Sequence, residues 1–344
     1  MSANQKNITG TILRIQRMST EDGPGIRSTV FFKGCPLACV WCHNPESISL
    51  RLQIHWERIR CIGCRSCIDA CVTGALAATE AGIVIDRSAC DSCGACSQAC
   101  PSTAMEIYGE TCNLNDLVRE VRKDEAYFNK KSGGGVTLSG GEPTMQPLFA
   151  KALLSTFKQA GIHTALDTCG QCSWETLDGL LPYTDLVLYD FKEIDADKHK
   201  AFTGVSNTKI LENLILLGRF MEEQSLPSEL WVRTPLIPGC TDTRENLQGI
   251  GIFLKEHLKP YVSRWELCSF NNLCINKYEG LGIDWDFRKT ALLSRDETER
   301  LASLACESGV DPGIVHLSGP MRMADADESQ EDKTHTGIAG SGAC

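Results

Sequence analysis

Short runs of β-branched and aromatic residues alternate along most of this chain with longer stretches whose apolar positions recur every three or four residues. The first such run, residues 28–34 (STVFFKG), reads as a strand. From Asn113 a helical pattern places Leu114, Leu117, Val118 and Val121 on one face and stops before Gly133-Gly134-Gly135. Residues 136–139 predict a strand and 146–160 a helix ended by Gly161. Strand-and-helix pairs follow at 164–168 with 173–181, 185–191 with 208–222, and 229–236 with 242–257. Residues 264–269 form the last clear strand, Ser294 and Glu297 spell a capping box for the final helix, and 315–318 suit one more short strand. Such alternation predicts an α/β fold with parallel strands and outer helices, and six clear strands fit a barrel or a partial (β/α)6 barrel.

Residues 55–108 break this rhythm. They are cysteine-rich and read as an inserted module, which divides the chain into a first barrel part (1–54), the insert (55–108), the rest of the barrel (109–320) and a polar tail expected to be disordered (321–344). The net charge of −10 disfavours nucleic acid as a partner. No apolar run reaches the roughly 18 residues of a membrane span, and the first residues lack a signal-peptide core, so a cytoplasmic location is expected.

Cysteine is the outlier, with 19 residues, and 11 of them fall in three tight runs. In a cytosolic chain such bunching points to metal or redox sites. Cys35, Cys39 and Cys42 have C-x3-C-x2-C spacing. Three thiolates suit a 4Fe–4S cubane with one iron left open, or a zinc site in need of a fourth ligand, for which the adjacent His43 is poorly placed. Cys61, Cys64, Cys67 and Cys71, then Cys90, Cys93, Cys96 and Cys100, each follow C-x2-C-x2-C-x3-C, with Pro101 after the second run and Val72 after the first. This is similar to bacterial ferredoxins, where the fourth cysteine of each run ligates the other cluster. The resemblance assigns Cys61, Cys64, Cys67 and Cys100 to one cluster and Cys71, Cys90, Cys93 and Cys96 to the other. A structural zinc module is the plainer alternative. Cys169 and Cys172 form a C-x2-C without a further ligand pair, and Cys112, Cys240, Cys268, Cys274 and Cys306 read as small apolar fillers.

Parallel barrels place their chemistry at the carboxyl ends of the strands. The polar residues obey that rule. The first cysteine loop follows strand one, and Ser139-Gly140-Gly141-Glu142-Pro143 follows strand two. Asp167 and Thr168 end the next strand, Asp190 and Lys192 the one after, Arg233 lies on the fifth and Asn271 follows the sixth. Glycine pairs allow close backbone approach to a ligand, although most are simple turns.

The C-x3-C-x2-C run resembles the radical S-adenosylmethionine (SAM) enzymes. Closer still, Asp22-Gly23-Pro24-Gly25-Ile26-Arg27, Lys33-Gly34-Cys35-Pro36, Trp41-Cys42-His43-Asn44-Pro45-Glu46, residues 132–143 (SGGGVTLSGGEP) and Asp190-Phe191-Lys192 look like the glycyl radical enzyme activases with a two-cluster insert. The resemblance implies a partial radical SAM barrel. It implies a SAM-binding cluster on Cys35, Cys39 and Cys42, two ferredoxin-like clusters, and reductive cleavage of SAM to a 5′-deoxyadenosyl radical that abstracts a glycine α-hydrogen in a partner enzyme. Trp41 matches the position beside the adenine. Gly140, Gly141 and Glu142 match the loop at the methionine end of SAM, and Asp190, Lys192 and Arg233 match other positions around it. Asp167, Thr168 and Asp190 match a monovalent-cation site. Asn271 stands where the activase of pyruvate formate-lyase has histidine, which puts a charge at that position in doubt. Flavodoxin or ferredoxin is the implied electron donor. Asp22–Arg27 suits reception of the partner's glycine loop, or a plain Gly-Pro-Gly turn. Two rival readings are a radical SAM enzyme acting on another peptide or small molecule, and an iron–sulfur electron carrier.

Overall fold

The strands, in chain order, are β1 (Thr9–Ser19), β2 (Arg27–Phe32), β3 (Gln53–Trp56), β4 (Leu76–Thr79), β5 (Gly82–Ile85), β6 (Met105–Tyr108), β7 (Glu110–Asn113), β8 (Gly135–Gly140), β9 (His163–Thr168), β10 (Leu186–Asp190), β11 (Glu229–Leu236), β12 (Val262–Ser269) and β13 (Val315–Ser318). The helices are α1 (Ser66–Asp69), α2 (Ala95–Gln98), α3 (Leu114–Val121), α4 (Pro147–Gln159), α5 (Trp174–Asp178), α6 (Ala196–Thr203), α7 (Thr208–Glu223), α8 (Arg244–His257), α9 (Ile275–Leu281) and α10 (Arg295–Cys306). The computed structural model describes residues 8–128 and 130–322, so most of the predicted tail lies outside the described residues.

Nine strands form one sheet in the order β13-β12-β11-β10-β9-β8-β2-β1-β7. From β2 to β13 every neighbouring pair is parallel, and the connecting helices cover the outer face, as the alternation predicted. The two end strands do not pair, so the barrel is partial. β2 is buried at all six positions, as a strand within a parallel sheet must be. The main apolar core lies between the sheet and its helices, where Leu138, Leu166 and Val232 meet Leu153, Leu214 and Leu254.

The sheet holds two strands that the sequence pattern did not reveal. β1 and β7 are antiparallel additions at the β2 side. β1 carries Arg14, Gln16 and Arg17, and only about half its length is covered, so its apolar alternation is weak. The insert opens with β3 and closes with β6, which pair with each other and bracket the cysteine runs. Its own buried cluster is small: Ile54, Cys67, Leu76, Cys96 and Met105.

Candidate active site

A cavity of about 630 Å³ opens at the C-terminal ends of the parallel strands. That volume lies within the rough 300–1,000 Å³ range of small-molecule sites. Cys39, Trp41 and Cys42 line it from the loop after β2, Gly140 from the end of β8, and Asp167, Asp190, Lys192, Arg233 and Asn271 from the strands beyond. Most of the predicted strand-end residues therefore meet in one place.

The strand period of two explains which residues do not. Along β9, Asp167 points into the cavity while Thr168 points the other way, and the Thr168 hydroxyl donates to Glu142 Oε1 at 2.8 Å. Glu142 is itself buried. It accepts from the Thr144 amide at 3.0 Å and from the Cys169 amide at 2.7 Å, so its carboxylate ties the loop after β8 to the end of β9. Gly140 and Gly141 allow a close approach, but to the protein's own backbone. A Cβ on Gly140 would lie 2.4 Å from the Phe32 amide nitrogen, and one on Gly141 2.3 Å from the Gly34 carbonyl oxygen.

Charges alternate around the wall. Lys192 Nζ is 2.6 Å from Asp190. Arg233 lies 3.5 Å from Asp167 and 3.2 Å from Glu266, and Ser139 donates to Asp167 at 2.6 Å. Burial pushes the Asp167 carboxyl up to about 7 against the pull of Arg233. Burial opposes the charge on Lys192, but Asp190 and Cys39 outweigh it and hold the ammonium above its ordinary value. The site thus presents fixed cations and carboxylates in a largely buried wall, which suits a zwitterionic ligand. Ser269, buried in the same wall, has a hydroxyl with no hydrogen-bond partner, an atom left for a ligand.

The cysteine loop is held by residues more than 200 positions away. Tyr278 donates to the Cys42 carbonyl at 2.8 Å, Trp285 Nε1 to the Val40 carbonyl at 2.8 Å, and Lys277 to the His43 carbonyl at 2.9 Å. Lys277 also pairs with the buried Glu46 at 2.8 Å. Trp41 packs 5.7 Å from the Phe202 ring in an apolar cluster with Phe270, Tyr278 and Trp285. Only the aromatic density of 270–287 could have flagged this clamp in the sequence. His43 Nε2 donates to the Asn271 carbonyl at 2.8 Å, so that nitrogen is committed, while the ring still lines the cavity. Burial pushes Cys39 up to about 11 and Cys42 higher still, whereas a hydrogen bond with Cys169 lowers Cys35. Such thiols bind metal with loss of their protons.

In the insert, Cys71, Cys90, Cys93 and Cys96 line one small cleft. On the other side, Cys67 feels the charges of both Cys100 and Cys61, and Cys64 that of Cys100.

Asp22–Arg27 has a structural job. Arg27 is fully buried and donates to Thr137 at 2.6 Å, to the Gly133 carbonyl at 2.5 Å and to the Val136 carbonyl at 2.8 Å. Gly25 packs where a Cβ would lie 2.7 Å from the Gly134 nitrogen. The two motifs at 22–27 and 132–135 are thus one packed unit, and Asp22 alone of the turn opens on the cavity.

A partial parallel barrel with a three-cysteine loop at its charged mouth defines a radical SAM enzyme. The Radical SAM superfamily profile matches residues 89–247, and a 4Fe–4S dicluster profile matches 60–104. The first match begins beyond Cys42, which the insert separates from the rest of the barrel. An isethionate sulfite-lyase activating enzyme from Oleidesulfovibrio alaskensis is 39% identical over 90% of this chain and 99% of its own. A trans-4-hydroxy-L-proline dehydratase activating enzyme from Clostridioides difficile is 39% identical over 85% of this chain and 95% of its own. A domain of pyruvate-formate lyase-activating enzyme from Bacteroides vulgatus has 25% identity and a TM-score of 0.44, covering 54% of this chain and 99% of that domain. The chain belongs to the glycyl radical enzyme activating enzymes. It uses iron–sulfur clusters and SAM, and it installs a glycyl radical in a partner enzyme. No helix among the described residues is long and apolar enough to cross a membrane.

Proposed function

We propose that Cys35, Cys39 and Cys42 hold the SAM-binding cluster of this activase, and that the insert carries two further cubanes, on Cys61, Cys64, Cys67 and Cys100 and on Cys71, Cys90, Cys93 and Cys96. The observation that carries the reading is the cavity itself: two of the three loop thiols sit at its rim beside Trp41, opposite Asp190, Lys192 and Arg233. When bound, the first cluster supplies one electron to SAM, splitting it into methionine and a 5′-deoxyadenosyl radical. Lys192, Arg233 and Ser269 orient the amino-acid end of SAM, Trp41 packs by its adenine, and Asn271 offers a neutral hydrogen-bonding group. The loop after β8 contributes its main chain, since Glu142 is committed elsewhere. Asp167 and Asp190, which line the cavity, and Thr168 at the end of β9 would hold a monovalent cation. The aromatic wall keeps water from the radical, which takes a hydrogen atom from the partner's glycine α-carbon and leaves as 5′-deoxyadenosine.

Residues 1–54 and 109–320 make up the barrel on this reading, and residues 55–108 relay electrons from a flavodoxin or ferredoxin. The cytoplasm is the place where such reductants and their partner meet.

The test is anaerobic reconstitution followed by reaction with a partner enzyme, SAM and reductant. Protein with three clusters should hold about 12 irons, and the mixture should show the doublet of a carbon-centred glycyl radical. Persistence of the same signal after the partner's glycine is changed to alanine, or a preparation rich in zinc with fewer than about four irons, would refute the proposal.

A further inference from the structure

The two cysteine runs of the insert share one cysteine spacing, yet the fold treats them differently. Cys61-Ile62-Gly63-Cys64-Arg65-Ser66-Cys67 aligns with Cys90-Asp91-Ser92-Cys93-Gly94-Ala95-Cys96. Both adopt the left-handed backbone at the third and fifth positions: Gly63 at φ 71 and Arg65 at φ 65, Ser92 at φ 59 and Gly94 at φ 81. That conformation suits glycine and strains any residue with a Cβ. Each run therefore keeps one residue that its backbone resists, and the side chain has to justify it.

For Ser92 the reason is plain. Its hydroxyl donates to the Leu52 carbonyl at 2.8 Å and ties the second run to the barrel side. Arg87, just before this run, donates to the Gly280 carbonyl of the barrel at 3.2 Å. Gly94 is packed in, since a Cβ there would lie 2.7 Å from Ile107.

The first run meets nothing comparable. A Cβ on Gly63 would find no atom within 4 Å. Arg65 is exposed, as is Arg58, and neither pairs with a carboxylate among the described residues. Ile59 and Ile62, on either side of Cys61, are 89% and 68% exposed. Between them Arg60 pairs with Glu106 at 2.6 Å, and Glu57 lies 3.6 Å from His55, so Arg58 and Arg65 are the arginines of this spot without a carboxylate partner, with Asp69 an exposed carboxylate close in sequence. Two bare isoleucines bracketed by unpaired arginines, on a chain of net charge −10, make a cationic and apolar spot beside a cluster. Charged rims steer encounter and a small apolar centre seats the partner.

We propose that electrons enter this protein through the cluster of Cys61, Cys64, Cys67 and Cys100, from a small acidic one-electron carrier protein that docks on Arg58, Ile59, Ile62 and Arg65. The cluster of Cys71, Cys90, Cys93 and Cys96 is then the inner station, facing the barrel. This rests on the reading of the insert as a relay. The reduced carrier would give up one electron and be left oxidised by one; with clusters bound, Cys61, Cys64, Cys67 and Cys100 would hold the group that accepts it, Cys71, Cys90, Cys93 and Cys96 the group that passes it on, and it would be consumed in breaking the sulfonium carbon–sulfur bond of SAM. The glycyl radical enzyme has to reach the cavity at the strand ends, and none of the four patch residues lines it.

The probe is an acidic flavodoxin with the fully loaded enzyme. In Arg58→Glu/Arg65→Glu, flavodoxin affinity measured by fluorescence anisotropy should fall about tenfold at low salt. The parent's affinity should decline with salt more steeply than the variant's, and deoxyadenosine formation driven by dithionite should be unchanged. Arg65→Gly should weaken binding while leaving the melting temperature equal or higher, because it relieves the left-handed strain. Unaltered flavodoxin affinity in the double variant, with slow flavodoxin-driven activation in Cys64→Ser, would overturn the docking face and spare the relay. A full flavodoxin-driven rate in Cys64→Ser would sink the relay and the proposal together. Loss of affinity for the glycyl radical enzyme instead of flavodoxin would also overturn it.

Discussion

The barrel mouth and the insert both present cysteine runs, but they hold them by opposite means. The loop at 35–42 hangs from a large apolar core and is clamped by Tyr278, Trp285 and Lys277 across the barrel. The insert has four-residue strands and a buried cluster of Ile54, Leu76 and Met105 with two of its own cysteines. A core so small cannot hold a unit of this length by burial alone. On the proposed ligand assignment, the barrel shapes its site without help from a cluster, whereas the insert would depend on its clusters for shape.

The sharpest way to break the comparison is at the loop. Cys39→Ala should reduce deoxyadenosine formation by roughly a thousandfold or more, while the insert clusters keep their reduced resonance signals. Retained turnover would mean that the open iron lies elsewhere. Next, iron removal by a chelator should expose 57–104 to limited proteolysis and leave the barrel resistant. Cleavage at equal rates in both regions would deny the insert its dependence on metal.

A smaller effect is expected at the clamp. Tyr278→Phe removes one buried hydrogen bond to the cysteine loop, worth about 1 kcal/mol. Iron release from the loop cluster to a chelator should quicken several-fold, about what that energy implies, with no change in the insert. The smallest effect concerns the far end of β9. Burial, aided by the neighbouring Arg27, lowers His163 from its ordinary 6.5 to about 4. The folded protein resists protonating this ring, so its contribution is intact above pH 6.5 and is lost as pH falls toward 4. His163→Gln should shrink the drop in melting temperature between pH 7 and pH 5. An unchanged drop would show that His163 is not the group responsible.

Much of the barrel was legible because buried parallel strands and amphipathic helices write their periods plainly. β8 to β12 and their helices lie within a few residues of the expected spans. β1 was not legible, since Arg14, Gln16 and Arg17 interrupt its alternation. β7 and α9 escaped for a similar reason: a four-residue strand and a seven-residue helix carry too few positions to show a period. Strand-end placement brought Asp167, Asp190, Lys192, Arg233 and Asn271 to one cavity, as expected from chain position. It could not separate Asp167 from Thr168, which strand alternation sends to opposite faces.

Sequence by itself determined the chemistry that local spacing encodes. Three thiols within eight residues can reach one cluster whatever the rest of the chain does, whereas the two proposed insert clusters also need Cys71 and Cys100 to cross between the runs. It also determined which strands carry polar residues at their carboxyl ends. Tertiary structure decided everything that requires distant residues to meet: the clamp from 274–287 on the cysteine loop, the packing of the 22–27 turn on 132–135, the inward commitment of Glu142, and the barrel-facing and solvent-facing sides of the insert. The physical reason is range. Ligand spacing and element period are set by bonds a few residues long, whereas burial, hydrogen-bond partners and exposure depend on which surfaces the folded chain brings together.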